Sequence, residues 1–441
     1  MADVQGRGKH VVFFLVAALA AASMWFYVIG ILRAHQVADA QVRQIPRGNL
    51  SDLYPRWWGA RELLLHGRNP YSHEVALEIQ EGYYGRRLDA DRPNDPKDQQ
   101  GFAYPVYVVF LLAPLVRLPF PQVLTAFYWF LAFLTAASVL LWLRVLRWRL
   151  SMGGVAICLL LMLGSFPAVQ GIKLQQLSLL VAGLVAGSVA CVASGFLFSG
   201  GALLALATIK PQLAWLLVGW LLLWAMSDWR ARRRLVWGFA AAMMVLLGGA
   251  EIILPGWWRM FAAGLQQYHA YTQNQSVMEV ILSQLLGSAA RGAVGRAGGQ
   301  ILAVVAGVAC APALWKFRRE RAETAGFSEA TALVLALTVL VVPMYAPYNQ
   351  VLLLPAILLL ARERRAMSLQ SRGLRMGYFL GAFALAWQWI ASAGLTAIYF
   401  LESRSRALDG WSWPFFATFA VPVFGFVLVF FYVRRVKAEP G

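Results

Sequence analysis

Long runs of apolar residues recur along this 441-residue chain, and they limit its possible folds more than any other feature. Several runs, among them 11–32, 123–143 and 414–432, reach about twenty residues, the length that an α-helix needs to cross a bilayer. With 60% hydrophobic and 14% charged residues, a soluble domain of this size could not cover its surface with polar groups. The sequence therefore predicts an all-α polytopic membrane protein, folded as one integral membrane domain over residues 1–441.

A net charge of +18 would fit a nucleic-acid-binding protein, but the distribution of the basic residues indicates membrane topology instead. Arginine and lysine cluster in short segments between apolar runs, as loops on the cytoplasmic side of membrane proteins do. These clusters lie at 144–149, 230–234, 316–321, 362–375 and 434–437. We therefore expect membrane lipids, and no nucleic acid, among the partners.

Placing these clusters in the cytoplasm assigns a side to every other segment. The first apolar run is too long for a signal sequence and lacks a small-x-small cleavage site, so it is predicted to be a retained span. Residues 33–104 then form a first external loop with a juxtamembrane helix, and 105–118 a short re-entrant or interfacial helix. Residues 255–300 form a second external segment. The total is about twelve spans in the plasma (inner) membrane.

The run from 200 to 224 contains Lys210-Pro211 near its middle. A single span would bury a lysine and break its own helix at the proline. Two short spans avoid both costs and place Lys210 at the outer end, with the 230–234 arginines inside. We therefore predict two helices here.

The stretch from 49 to 71 is the strongest candidate for the chemistry. Its segment PRWWGARELLLH, at 55–66, has helical spacing of apolar residues, and Gly67 can end that helix before a turn at Asn69-Pro70. The segment is too charged to span a bilayer and too rich in Trp and Leu for a solvated loop. We expect a helix lying in the headgroup plane, preceded by one isolated acid, Asp52.

Asp52 has two possible roles. A carboxylate at the rim of a low-dielectric cavity can act as the general base that deprotonates an acceptor hydroxyl. Alternatively, it caps the helix that follows it.

Other polar groups from distant parts of the sequence map to the same outer face. Lys210 can bind a phosphate, or it can extend to the interface as a lysine at a helix end often does. Gln176 and its neighbours can contact a sugar or cap a helix. The aromatic and amide residues at 257–276 and 345–350 suit a saccharide, but equally an interfacial aromatic belt. Convergence on one face is expected of a single site built by many spans.

The motifs of several enzyme classes are missing from the sequence. It contains no HExxH, GxxxxGK[ST], CxxC or GxSxG, which argues against a metalloprotease, an ATP-driven pump and a serine hydrolase. The acids Asp89, Asp91, Asp95 and Asp98 lie in a polar, proline-containing stretch that is expected to be a mobile solvated loop. No cofactor and no metal ligand is predicted, and metal dependence stays open.

An ordered set of short motifs resembles glycosyltransferase family 87, the polyprenyl-phosphate-mannose-dependent mannosyltransferases of the GT-C superfamily. The matching pieces are Asp52 with Tyr54, Gly67 to Tyr71, Phe102-Ala103-Tyr104-Pro105, Gln176-Leu177-Ser178, Ile209-Lys210-Pro211, Asn274-Gln275-Ser276, and 343–349. The resemblance implies a GT-C-like fold that transfers a hexose, with mannose the expected sugar. The donor would be a polyprenyl-phosphate sugar and the acceptor a lipid or glycan, with inversion at the anomeric carbon.

The same resemblance assigns roles to individual residues. Asp52 would be the catalytic base, and the donor phosphate would be bound by Lys210, Arg56 and Arg61. The substrate-binding residues would be Tyr54, Tyr71, Tyr104, Gln176, Ser178, Tyr268, His269, Asn274, Gln275, Tyr348 and Asn349. The active site would face the periplasm or exterior.

Two other classes of protein remain as alternatives. A transporter or flippase of a lipid-linked saccharide would also need polar groups in a membrane cavity, but it should show repeats and charged or broken helices near the bilayer midplane. A structural scaffold would leave the outer-face polar groups unconnected and would tolerate Asp52→Ala.

Overall fold

The computed structural model describes residues 2–46, 48–49, 51–89, 91–272, 275–287 and 292–435. These residues form α-helices, a few short 3-10 helices and one π-helix, with no strand among them. The first ten α-helices are α1 Ala2–Phe26, α2 Arg33–Val42, α3 Tyr54–His66, α4 His73–Tyr84, α5 Val108–Leu112, α6 Phe120–Val145, α7 Met152–Leu163, α8 Phe166–Lys173, α9 Leu177–Ala193 and α10 Leu197–Ala207. The others are α11 Pro211–Met226, α12 Trp229–Ile253, α13 Trp257–Thr272, α14 Val277–Leu286, α15 Ala293–Phe317, α16 Ala325–Val341, α17 Leu354–Arg362, α18 Arg364–Ser368, α19 Arg372–Leu401, α20 Arg404–Asp409 and α21 Ala420–Arg435.

Six helical stretches of the described chain are long and apolar enough to cross a membrane. They are Val11–Val42, Phe120–Val145, Trp229–Ile253, Val294–Phe317, Arg372–Leu401 and Arg404–Arg434. The bent pair α7 and α8 makes a seventh if it counts as one span, and five further apolar helices have 10–17 residues. The all-α, multi-pass architecture is thus confirmed. The count of about twelve spans, which treats short apolar helices as full spans, stays a prediction.

Two of the predicted spans differ in shape from the expectation. In the first, the helix continues past the predicted end of the span near residue 32, because a π-helix at Tyr27–Leu32 joins α1 to α2 and the helical stretch reaches Val42. A second apolar stretch, 152–173, is bent by 57° between α7 and α8 instead of forming one straight span. At the bend, a Cβ on Gly164 would lie 2.3 Å from the Cβ of Ala21, and the Ser165 hydroxyl accepts a hydrogen bond from the Ala168 amide. Close packing against α1 and a new N-cap therefore end one helix and start the next.

The break at Lys210 matches the two-helix prediction. Helix α10 ends at Ala207 and α11 begins at Pro211, where the missing N–H of proline costs no intrahelical hydrogen bond. Lys210 lies at the N-cap of α11 with non-helical backbone angles. The polar break is thus located where two apolar helices meet.

The helix expected at 55–66 is confirmed as α3, whereas its place in the headgroup plane stays a prediction. Pro55 lies in its first turn, and Gly67 ends it with a φ of 66°, a conformation that glycine adopts without strain. The Asn69 side chain then accepts a hydrogen bond from the Tyr71 amide, which forms the predicted turn. The buried residues of α3 are distributed around the helix and include Glu62, and Trp57 donates from its indole to the carbonyl of Leu115.

Helices α9 and α16 lie at the centre of the bundle, since almost all of their side chains are buried. The segment before α9 contains Gln176, and the segment after α16 leads into the 3-10 helix Pro347–Leu353. The segment 255–300, which is predicted to be external, contains α13, α14 and the first turns of α15. Rigid buried helices therefore hold the polar segments that form the cavity described next.

Candidate active site

A cavity of about 550 Å³ opens where the polar breaks of the bundle meet. Six separate parts of the chain contribute to it: the start of α3, the loop before α5, the start of α9, the α10–α11 break, α13, and the segment after α16. Its polar and charged lining residues are Asp52, Arg56, Asp98, Gln100, Tyr104, Gln176, Lys210, Gln212, Tyr268, Tyr345, Tyr348 and Asn349. The convergence predicted from sequence thus occurs for most of these segments.

Asp52 lies in the turn before α3, and its backbone amide donates to the carbonyl of Leu174 at 2.9 Å. Its Oδ2 accepts a hydrogen bond from Nε2 of Gln176. The capping alternative is wrong, because the N-cap of α3 is Leu53 and no side chain caps this helix. Burial raises the pKa of the Asp52 carboxyl, while Arg56, the Gln176 hydrogen bond and Lys210 oppose the rise.

Arg56 places a second charge beside this carboxyl. One of its terminal nitrogens donates to the backbone carbonyl of Asp52 at 2.8 Å, and its guanidinium lies 4.7 Å from the ring centroid of Tyr104. Its Nε is buried and has no hydrogen-bond partner among the described residues. A buried, unused donor on a cation is suited to bind an anionic ligand.

Lys210 is the other cation of the cavity. Its side chain is buried, at 8% exposure, and its Nζ donates to the Ser178 hydroxyl at 2.7 Å and to Oε1 of Gln176 at 3.3 Å. Ser178 in turn donates to Oδ1 of Asn349 at 2.9 Å. The alternative of a lysine that extends to the interface is therefore wrong, since Lys210 points into a polar network.

Asp98 is a cavity residue that the sequence analysis missed. It was assigned to a solvated loop, and Asp89 and Asp91 are indeed exposed. The carboxylate of Asp98, however, lines the cavity and accepts from the amide and the side chain of Gln100, both at 3.0 Å. Burial raises its pKa. It is, with Asp52, one of two carboxylates in the cavity lining.

The loop that carries Asp98 is attached to α4 by side-chain contacts. The Tyr84 hydroxyl donates to the Asp98 carbonyl at 2.8 Å, and Gln80 bonds to backbone groups of Gln99 and Leu88. Arg86 and Asp95 form an ion pair in the same loop. No local sequence signal identifies Asp98, because these contacts depend on where α4 lies.

Several predicted substrate residues lie in the cavity wall or directly behind it. Tyr104, Tyr268, Tyr348 and Asn349 line the cavity, and burial raises the pKa of Tyr268 to about 12, so its phenol stays protonated near neutral pH. Tyr71 lies behind the wall, with its hydroxyl donating to the Tyr104 carbonyl at 2.6 Å.

Four other predicted residues do not line the cavity. Tyr54 packs against Trp57 and Phe120 in the core, and Ser178 lies one layer back, between Lys210 and Asn349. Arg61 donates to the Val116 carbonyl at 2.9 Å. Gln275 is exposed, and its carbonyl accepts from the Tyr345 amide at 2.9 Å. Asn274 and the side chain of His269 lie outside the described residues.

An all-helical bundle with membrane-length helices around a charged cavity defines an integral membrane protein that binds a polar substrate. Residues 102–343, more than half of the chain, match glycosyltransferase family 87. The chain belongs to this family and is a membrane glycosyltransferase, as its motifs suggested. No curated protein and no solved structure matches it significantly. The matched range contains Tyr104, Gln176, Lys210 and Tyr268, while Asp52 and Arg56 precede it.

Proposed function

We propose that this protein transfers a hexose, with mannose as the expected sugar, from a polyprenyl-phosphate donor to a hydroxyl of a lipid or glycan acceptor. The reaction inverts the anomeric carbon and takes place at the outer face of the plasma (inner) membrane. One observation carries the proposal: a half-buried carboxylate, Asp52, shares a cavity with two cations, Arg56 and Lys210. A base and an anion site close together are what single-displacement transfer from a sugar phosphate requires.

Asp52 acts as the general base in this proposal. The acceptor oxygen attacks the anomeric carbon while the bond from that carbon to the phosphate oxygen breaks. The acceptor proton passes to Asp52, and the bonding electrons leave with the polyprenyl phosphate. Because the phosphate gains negative charge in this step, nearby cations stabilise the transition state more than the ground state.

Lys210 and Arg56 bind the leaving phosphate. The direct hydrogen-bond partners of the Lys210 ammonium, Gln176 and Ser178, are neutral, so its charge is available to an anion. Arg56 has a buried donor to offer. Arg61 is not assigned to the phosphate, because its guanidinium bonds to the Val116 carbonyl and faces the Trp57 ring.

The aromatic wall binds the sugar. Tyr104, Tyr268 and Tyr348 can stack against the apolar C–H face of a hexose, and Asn349 can bond to its hydroxyls. Phe261 and Leu265 of α13 add apolar surface at the same cavity, where a polyprenyl chain would begin.

The helix ends support an outward-facing site. Helix α11 begins at the cavity with Pro211 and ends just before the arginines at 230–234. Helix α16 begins after the basic cluster at 316–321 and ends just before the cavity residues 343–349. The basic clusters and the cavity are thus at opposite ends of the same helices, and the basic ends are expected in the cytoplasm.

The test compares purified, reconstituted wild type with Asp52→Asn, using radiolabelled polyprenyl-phosphate-mannose and membrane lipids as acceptors. Loss of the base should lower the transfer rate by a factor of about 10²–10⁴. The matched control is Asp91→Asn, an exposed acid of the first external loop, which should keep wild-type activity. Equal transfer by wild type and Asp52→Asn would remove Asp52 from catalysis. No transfer by the wild type would contradict the proposed transfer between this donor and these acceptors, and a flippase assay with the same lipid would follow.

A further inference from the structure

The amide of Gln176 contacts both charged groups that the proposed reaction uses. Its Nε2 donates to Oδ2 of Asp52, and its Oε1 accepts from Nζ of Lys210 at 3.3 Å. Gln176 lines the cavity, but both polar atoms of its side chain are engaged by these two charged groups. This geometry indicates a second role for Gln176, besides the sugar contact that the sequence suggested.

The orientation of this amide follows from the chemistry of its neighbours. An ammonium can only donate hydrogen bonds, so Lys210 requires the amide oxygen to face it. The NH₂ group must then face Asp52, where it donates to Oδ2. No hydrogen bond among the described residues occupies Oδ1 of Asp52, which leaves this oxygen for the acceptor hydroxyl.

The surroundings hold Gln176 in place from both sides. Its backbone amide donates to the Gly171 carbonyl at 2.8 Å, which fixes the turn between α8 and α9. Lys210 is itself fixed by Ser178, and Ser178 by Asn349. The bridging amide therefore has little freedom to rotate, and the carboxylate that it contacts is held in one orientation.

We infer that Gln176 is a positioning residue, which orients the base Asp52 and links it to the phosphate-binding Lys210. The inference rests on the proposed function for the roles of Asp52 and Lys210. The amide hydrogen bond also favours the ionised carboxylate, and so opposes the effect of burial on Asp52. Gln176 thus orients the Asp52 carboxylate and favours its deprotonated form.

Two substitutions at Gln176 test this role. Gln176→Met keeps the side-chain length and removes both hydrogen bonds. Gln176→Glu keeps an acceptor for Lys210 but loses the donor to Asp52 and adds a negative charge beside it. Both should lower kcat at neutral pH by about tenfold or more, the effect of losing a hydrogen bond to a charged group. Both should also move the acid limb of the kcat profile to higher pH, Gln176→Glu further, with the donor KM nearly unchanged.

Gln175→Ala is the matched control. The Gln175 side chain is also buried, but its amide donates only to the backbone carbonyls of Ile172 and Lys173. This variant should leave the position of the acid limb unchanged even if it loses some stability. A donor KM that rises in Gln176→Met, with an unshifted acid limb, would instead indicate a sugar contact and overturn the inference.

An infrared titration separates this inference from the proposed function, because it needs no turnover. The difference between wild type and Asp52→Asn isolates the carboxyl band of residue 52. Its titration midpoint should be higher in Gln176→Met than in wild type, and an unchanged midpoint would contradict the positioning role. If the wild type fails to transfer mannose, the proposed function fails, while the titration still decides the role of Gln176.

Discussion

Burying any one charge of the cavity is unfavourable in free energy, and this explains how the charges are arranged. Burying a carboxylate or an ammonium without compensation costs several kcal/mol, roughly, so such groups occur where they are paired or used. Asp52 and Lys210 do not bond to each other directly but through the amide of Gln176. Each charged group can therefore still bind a ligand: Oδ1 of Asp52 can accept from a hydroxyl, and the Lys210 ammonium can contact an anion.

The raised pKa of Asp52 leads to a prediction about pH. The reactive form of a general base is the carboxylate, and burial makes the protonated form persist to higher pH than in an exposed aspartate. The transfer rate should therefore rise as pH rises through the raised pKa of Asp52, and be lost as pH falls through it. This transition should lie above about pH 3.9, the usual pKa of an aspartate. The measurement is kcat/KM against pH from about 4 to 8.

A second variant makes this profile specific to residue 52. Arg56 lowers the pKa of Asp52, so Arg56→Gln should shift the acid limb to higher pH as well as weaken donor binding. A profile that stays flat down to about pH 4 in the wild type would show that the base is not Asp52 in this environment.

At the scale of the helix, a feature could be predicted when the residues that start, end or break the helix lie in the segment itself. Helix α3 was predictable because Pro55, the apolar spacing and Gly67 all act within the segment itself. The α10–α11 break was predictable for the same reason, from Lys210-Pro211. The bend between α7 and α8 was not, because it depends on contact of Gly164 with α1. Asp98 could not be placed for a similar reason, since Tyr84 and Gln80 of α4 hold its loop.

Close helix packing allows a prediction that concerns stability alone. Gly201 of α10 faces α12 so closely that a Cβ there would lie 2.1 Å from the Leu235 carbonyl oxygen. Small residues permit such close approach of helices in membranes. Gly201→Ala should therefore lower the thermal unfolding temperature in detergent, because overpacking costs about 1–3 kcal/mol.

Gly219 of α11 provides the matched control for that substitution. A Cβ at this exposed position meets no atom within 4 Å. Alanine favours a helix over glycine by about 1 kcal/mol, so Gly219→Ala should leave stability unchanged or raise it slightly. If both variants had the same melting temperature, the close α10–α12 contact would not contribute to stability.

For the whole molecule, the question is which side of the membrane the cavity faces. The sequence predicted sidedness from arginine and lysine clusters, and helices such as α11 and α16 have these clusters at one end and the cavity at the other. The prediction can be tested without any activity. The three native cysteines, Cys158, Cys191 and Cys310, are first replaced by alanine, and single cysteines are then introduced at exposed positions.

Asp91→Cys and Arg233→Cys are the informative pair, because both side chains are exposed, one in the loop predicted to be external and one in a basic cluster. On intact cells, a membrane-impermeant maleimide should label residue 91 and leave residue 233 unlabelled until the membrane is opened. This outcome would place Asp52 and the aromatic wall at the outer face, where a lipid-linked sugar, and not a nucleotide sugar, would be the donor. The reverse pattern would place the cavity in the cytoplasm. The positive-inside argument would then fail for this chain, and a donor presented at the outer face would be excluded, whatever the role of Asp52.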